Sequence, residues 1–232
     1  SKKKVICVEP CKNVAKITQK LGYKTYTDFW DIKLARKIKA MNKKEIDLIY
    51  SANTLSHISN LNSVFKSICH VMSDKGILVI EDPSLLECLK NVSYDQFYNE
   101  HIYVFSLISI NEVIKEHGLE VFDIEKLETH GGSLRYYIKR KSNNKLKINN
   151  KVKRQFHEEL KFKLNKYSTY IKFGKKVESS KKDLKKIFFD IKKRGKKIIG
   201  YGATAKASTV LNYCNINDET IDFFLDTTPD KV

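Results

Sequence analysis

Asp47-Leu48-Ile49-Tyr50-Ser51-Ala52-Asn53, followed by Leu61 to Met72 and then Gly76-Ile77-Leu78-Val79-Ile80, is the stretch that decides the fold of this chain. An acid-led apolar run breaks at a polar residue, a segment with helical apolar spacing follows, and a second apolar run opens after a glycine. That is a strand, a helix and a strand, the pattern of a parallel pair joined by a crossover.

The same alternation extends in both directions. Upstream, Val5 to Val8 reads as a buried strand ending at Glu9-Pro10, Asn13 to Leu21 as a helix stopped by Gly22, Thr25-Tyr26 as a brief strand and Leu34 to Met41 as a helix. Strands alternating with helices of this length predict an α/β fold with a parallel, doubly wound sheet. Downstream, Asn111 to His117 reads as a helix closed by Gly118, and Val121 to Ile124 and Leu134 to Ile138 as strands. The alternation restarts beyond Gly195 with a strand at Lys197 to Gly200, a helix at Ala207 to Tyr213 and a strand at Ile221 to Leu225. Three regions are expected: 1–140, a Rossmann-like sheet with an insertion; 141–194, a basic helical connector; and 195–232, the opening of a second Rossmann-like unit. A doubly wound nucleotide site opens with a strand and a glycine-rich turn. The first region reads as starting at the second strand, without that turn.

The formal charge of +17 is not spread along the chain. Between Lys139 and Lys197 fall 23 Lys or Arg and only 5 Asp or Glu, while the remainder holds 21 bases and 22 acids. The basic segment carries an apolar stripe at Phe156, Leu160, Leu164, Tyr167, Ile171, Val177, Leu184, Ile187 and Ile191, mostly at helical steps. A long amphipathic helix with a solvated lysine face accounts for the excess and argues against a nucleic-acid partner. Five widely spaced cysteines read as reduced packing residues, with no metal-binding set among them. No apolar run approaches the roughly 18 residues that span a bilayer. A soluble, cytoplasmic protein is expected, with no membrane partner.

Polar residues at strand ends carry the candidate chemistry. Glu9 closes a buried strand, and an acid there can accept from both hydroxyls of a ribose, although an ordinary exposed acid would also fit. In Tyr98-Asn99-Glu100-His101, a helical turn would bring Tyr98 and His101 onto one face, and histidine is the side chain best matched to proton transfer near neutral pH. His130-Gly131-Gly132-Ser133-Leu134-Arg135 offers free N–H groups, a hydroxyl and a guanidinium, suited to phosphate or carboxylate and equally to a tight turn between strands. Gly200-Tyr201-Gly202-Ala203-Thr204-Ala205 fits G-x-G-x-x-A, with Asp226 ending the next strand. This is a dinucleotide fingerprint and supports an alternative, an NAD-binding nucleotide-sugar enzyme.

Asp47 to His57 resembles the fourth-strand motif of S-adenosylmethionine-dependent methyltransferases. Glu81-Asp82-Pro83, Tyr98-Asn99-Glu100-His101, HGGSLR at 130–135 and YGATAK at 201–206 resemble, in order and spacing, the sugar C-methyltransferases. These enzymes use S-adenosylmethionine to methylate C3 of a nucleotide-linked 4-keto-deoxy-sugar. The resemblance implies His101 as general base with Tyr98 and Glu100 beside it. It also implies Glu9, Asn53 and His57 near the cofactor, and His130, Ser133, Arg135, Tyr201 and Lys206 near the nucleotide-sugar. The family has Tyr-His-Glu-His where this chain has Asn99 in the second place, a change that motivates a third reading, a non-catalytic nucleotide-sugar-binding remnant. It also has an amino-terminal zinc-binding domain and a glycine-rich cofactor loop that this stretch does not contain, so the fragment alone is expected to be inactive.

Overall fold

The computed structural model describes residues 5–42 and 44–228. In chain order the elements are β1 (Ile6–Val8), α1 (Lys12–Lys20), β2 (Lys24–Tyr26), α2 (Ile32–Met41), β3 (Ile46–Ala52), α3 (Leu61–Val71), β4 (Met72–Pro83), α4 (Leu85–Lys90) and α5 (Leu107–Lys115). They continue with β5 (Leu119–Leu127), β6 (Ser133–Arg140), α6 (Asn150–Lys161), α7 (Tyr167–Lys193), β7 (Ile199–Tyr201), α8 (Ala205–Cys214) and β8 (Phe223–Leu225).

The expected β-α-β unit is β3-α3-β4, with β3 and β4 parallel from Leu48↔Ile77 to Ala52↔Glu81. The central sheet runs β3-β4-β6-β5. It is mixed rather than purely parallel, because β6 lies antiparallel to both β4 and β5. The connection between β5 and β6 is too short for a crossover, and an antiparallel pair is what a short connection permits. β1 and β2 form a separate parallel pair, as do β7 and β8.

β4 is buried along both faces from Leu78 to Pro83. Leu78 and Ile80 meet Phe65 and Ile68 of α3, Ile110 and Ile114 of α5, and Tyr136 and Ile138 of β6 in the main core. Each such side chain, removed from water, contributes about 1.5–3 kcal/mol. The helices start where side chains satisfy free N–H groups: Asp31 accepts from Leu34, Asn60 from Ser63, and Ser106 and Ser109 cap one another. At α5 a second device operates, since the buried Glu159 of α6 accepts from the N–H groups of Leu107 and Ile108, both at 2.9 Å. Its negative charge sits at the positive end of the helix.

The basic connector departs from expectation. It is two helices, α6 and α7, broken at a turn where Lys163 has φ +65°. The apolar stripe is continuous across the break in sequence, but a residue in the left-handed region cannot continue a right-handed helix. Of the stripe, Leu164 and Val177 are buried, whereas Phe156, Leu160, Tyr167, Ile171 and Ile187 are exposed. The alternation expected beyond Gly195 is β7-α8-β8, with β7 and β8 parallel. Gly200 is required there by packing, since a Cβ on it would lie 2.2 Å from the Phe224 ring. α8 rests on the turn Tyr94–Gln96, with Tyr94 Oη 3.6 Å from Cys214 Sγ and the Tyr94 and Tyr213 rings 5.5 Å apart. None of the described helices is long and apolar enough to cross a membrane.

Candidate active site

Tyr98 to His101 is a tight turn closed by His101 N–H to Tyr98 C=O at 2.9 Å, not the turn of helix expected from spacing. The pair converges all the same. Tyr98 Oη lies 3.0 Å from His101 Nε2, and His101 Nδ1 lies 2.9 Å from the Gln96 carbonyl. A carbonyl only accepts, so Nδ1 carries the proton and the Nε2 lone pair accepts from the Tyr98 hydroxyl.

Electrostatics keep the pair neutral. Partial burial, and then the charges of His57, Lys206 and His130, push His101 below its ordinary 6.5, against a raising effect from the Gln96 carbonyl. Burial first and the Glu100 charge second raise the Tyr98 hydroxyl. Near neutral pH the histidine is therefore uncharged, with Nε2 unprotonated, and the tyrosine keeps its proton.

Three other candidate residues gather around this pair. The His57 ring meets the His101 ring edge-on at 5.0 Å between centroids, so the loop after β3 reaches the pair. α8 brings Lys206 Nζ to 3.4 Å from His130 Nδ1. Burial and the Lys206 charge lower the His130 pKa. The His130 turn is strained: His130 has φ +57°, and Gly132, at φ +119°, has no room for a Cβ, which would fall 2.7 Å from Glu87.

The remaining candidates stand apart from the pair. Glu9 is at the end of β1, its carboxylate accepting from Cys11 N–H at 2.8 Å. Asn53 ends β3 with φ +49° and donates its N–H to the Glu81 carbonyl. The Arg135 guanidinium bonds Glu81 at 2.9 and 3.1 Å and Glu125 at 2.7 Å, so its charge is met by carboxylates of the sheet. Ser133 donates to the Thr129 carbonyl, and Tyr201 is 77% exposed on β7. Asp226, at the end of β8, accepts from Ala203 N–H and Thr228 N–H. An open cleft of about 580 Å³ lies on the other side of the 131–134 turn, between Glu87, Lys126, Glu128 and Gln155.

Three buried polar residues near the site were not picked out as site residues. Gln96 is 2% exposed and donates its side-chain N–H to the His130 carbonyl at 2.9 Å. Asp82 is fully buried on β4, and burial, chiefly, raises its carboxyl to about 6. Neither of its oxygens makes a hydrogen bond of normal geometry among the described residues, although the Ser56 hydroxyl and N–H lie close enough to stabilise some negative charge. Asp82 appears in sequence only as part of Glu81-Asp82-Pro83, and nothing local marks Gln96 or Ser56 as buried.

Glu9 directly follows β1 and Asn53 directly follows β3, and His57, in the loop beyond Asn53, meets the His101 ring. Among the described residues no cluster of His, Cys, Asp or Glu could hold a metal ion.

Two family descriptions match the chain. A methyltransferase domain covers residues 2–124 and a C-methyltransferase C-terminal domain covers residues 128–232. The C-methyltransferase NovU of Streptomyces niveus is 27% identical over 225 residues, spanning 97% of this chain and 53% of the relative. This chain thus spans about half the length of that protein. Among solved structures, an S-adenosylmethionine-dependent methyltransferase from Clostridium acetobutylicum aligns with TM-score 0.43 at 15% identity, over 60% of this chain and 75% of its own. The PH0226 protein of Pyrococcus horikoshii aligns with TM-score 0.45 at 16% identity, over 59% and 71% respectively.

Proposed function

Because the chain belongs to the methyltransferase-domain family, with a C-methyltransferase C-terminal domain behind it, we propose that it is the core of an S-adenosylmethionine-dependent C-methyltransferase. We take its substrate to be a nucleotide-linked 4-keto-deoxy-sugar and its place of action the cytoplasm. The observation that carries the reading is the 5.0 Å contact between His57 and His101. It sets the loop expected at the cofactor against the residue expected to act as base.

S-adenosylmethionine, when bound, supplies an electrophilic methyl group on a sulfonium. The chain's task is then to generate a carbon nucleophile beside it. A proton on the carbon next to a ketone is acidic because its loss gives an enolate. The His101 lone pair points at the Tyr98 hydroxyl, so the Tyr98 oxygen takes the carbon proton as its own proton passes to Nε2. The Gln96 carbonyl stabilises the imidazolium that forms, through Nδ1–H. We assign to Glu100 the role of accepting from a sugar hydroxyl, and to Lys206 that of meeting a phosphate of the nucleotide. Holding the carbon and the methyl group in line is the larger part of such a transfer, which gives the C-terminal unit a role in closing over the sugar.

The test is calorimetric titration with S-adenosylhomocysteine and, separately, NAD, on the chain extended upstream in its parent gene. Binding of the first, weakened by Glu9→Ala, supports the reading. NAD binding lost on Gly202→Val would replace it with the dinucleotide alternative, which draws on Gly202 at φ +91° beneath the Asp226–Ala203 bond. Binding of a nucleotide-sugar without turnover would favour the non-catalytic remnant.

A further inference from the structure

We propose that Gln96 is the positioning residue of the Tyr98–His101 pair: its carbonyl holds His101 in the Nδ1-protonated tautomer, and its side-chain amide ties that carbonyl to the His130 turn. The inference rests on the catalytic reading above for its kinetic consequence, though not for its structural one.

Gln96 makes both contacts from one buried position. Its carbonyl accepts from His101 Nδ1 and its Nε2 donates to the His130 carbonyl, each at 2.9 Å. The side-chain oxygen has no partner among the described residues. Burying an amide with an unpartnered acceptor is unfavourable, so a position needed only for packing is better filled by an apolar side chain. The amide instead pins a residue that resists its own conformation, since His130 is held at φ +57°, where residues other than glycine are strained. Asn91 pins the next residue in the same way, donating to the Gly131 carbonyl at 3.2 Å.

The link runs further than the turn. The short helical turn Tyr94–Gln96 is the surface on which α8 rests, through Tyr94 against Cys214 and Tyr213. α8 also carries Lys206 to the His130 ring. Gln96 therefore stands where the docking of the C-terminal unit and the tautomer of the base meet. Without the hydrogen bond from the amide, the carbonyl loses its tie to the His130 turn, and the Nδ1 proton is held less firmly to its acceptor. The ring then samples the other tautomer, in which Nε2 carries the proton and cannot accept from Tyr98.

The experiment uses the chain extended upstream in its parent gene, labelled with ¹⁵N-histidine, as wild type, Gln96→Met and Gln96→Glu. Methionine keeps the length without a donor, and glutamate keeps the shape but sets an oxygen against the His130 carbonyl. Imidazole ¹⁵N shifts near neutral pH are expected to give His101 a protonated Nδ1 and an unprotonated Nε2 in the wild type, and a mixture in both variants. For the reaction, kcat is expected to fall by up to about 10²-fold with little change in sugar KM, and the acidic limb of the pH profile to move. Thermal unfolding identifies a variant that fails to fold, in which case the other decides. Wild-type His101 shifts in the folded variants would overturn the proposal. A tautomer change in the variants, with no methyl transfer by the unsubstituted enzyme, would uphold the positioning claim and overturn the catalytic reading instead.

Discussion

Lys206 Nζ lies 3.4 Å from His130 Nδ1, across 76 residues of sequence, and so joins the C-terminal unit to the turn that flanks the Tyr98–His101 pair. The lysine charge lowers the pKa of both His130 and His101. Lys206→Met is accordingly expected to raise both, as followed by NMR titration of the histidine ring signals. If the lysine also meets a substrate phosphate, the same change raises nucleotide-sugar KM by about 10–100-fold, the worth of one charge-assisted hydrogen bond.

Removing either member of the pair separates chemistry from binding. His101→Ala is expected to lower the rate of solvent deuterium exchange at the carbon beside the sugar ketone by about 10²–10⁴-fold. Tyr98→Phe is expected to do the same, because the phenol oxygen stands between His101 and the carbon; exchange left nearly intact in that variant would show His101 acting directly. S-adenosylhomocysteine affinity should be unchanged in both. Because His101 titrates below its ordinary 6.5, kcat/KM should rise with pH and level off before neutrality.

The cap that α6 provides to α5 is a stability device. Glu159→Ala leaves two buried N–H groups without their acceptor, and an expected cost of about 2–4 kcal/mol would appear as a lower urea midpoint. Glu159→Gln keeps one acceptor and should cost less.

Asp82 gives stability a pH dependence of definite sign. Its carboxyl is raised from 3.8 to about 6 in the folded chain, so the folded state holds a proton that the unfolded state releases. Its contribution is most favourable below about pH 4, declines as pH rises, and above about 6 has become a constant penalty of at most about 3 kcal/mol. Asp82→Asn should therefore stabilise the chain at pH 7.5 by about 1–3 kcal/mol and leave it unchanged near pH 4, as read from urea unfolding at both pH values.

The sequence by itself determined the elements whose apolar spacing is strict: β3, α3 and β4, the helices flanking them, and the β7-α8-β8 restart. Tyr98, His101, His57, His130 and Lys206 stood out for a different reason, as members of motifs whose order and spacing resemble a known family; the strand and helix readings rest on apolar spacing. Periodicity is a local quantity, which is why those readings survive folding. Three things were decided only in three dimensions. The stripe through the basic segment continues across Lys163, yet the chain breaks there into α6 and α7, as a positive φ leaves no trace in hydrophobic spacing. Arg135 reads as a free guanidinium until pairing of β6 with β4 and β5 sets it between Glu81 and Glu125, a consequence of sheet register. Nothing in the local sequence marks Gln96, Asp82 or Glu159 as buried, and only packing of segments tens of residues apart removes them from water. Burial is a property of the whole chain, so the groups whose chemistry depends on it become legible last.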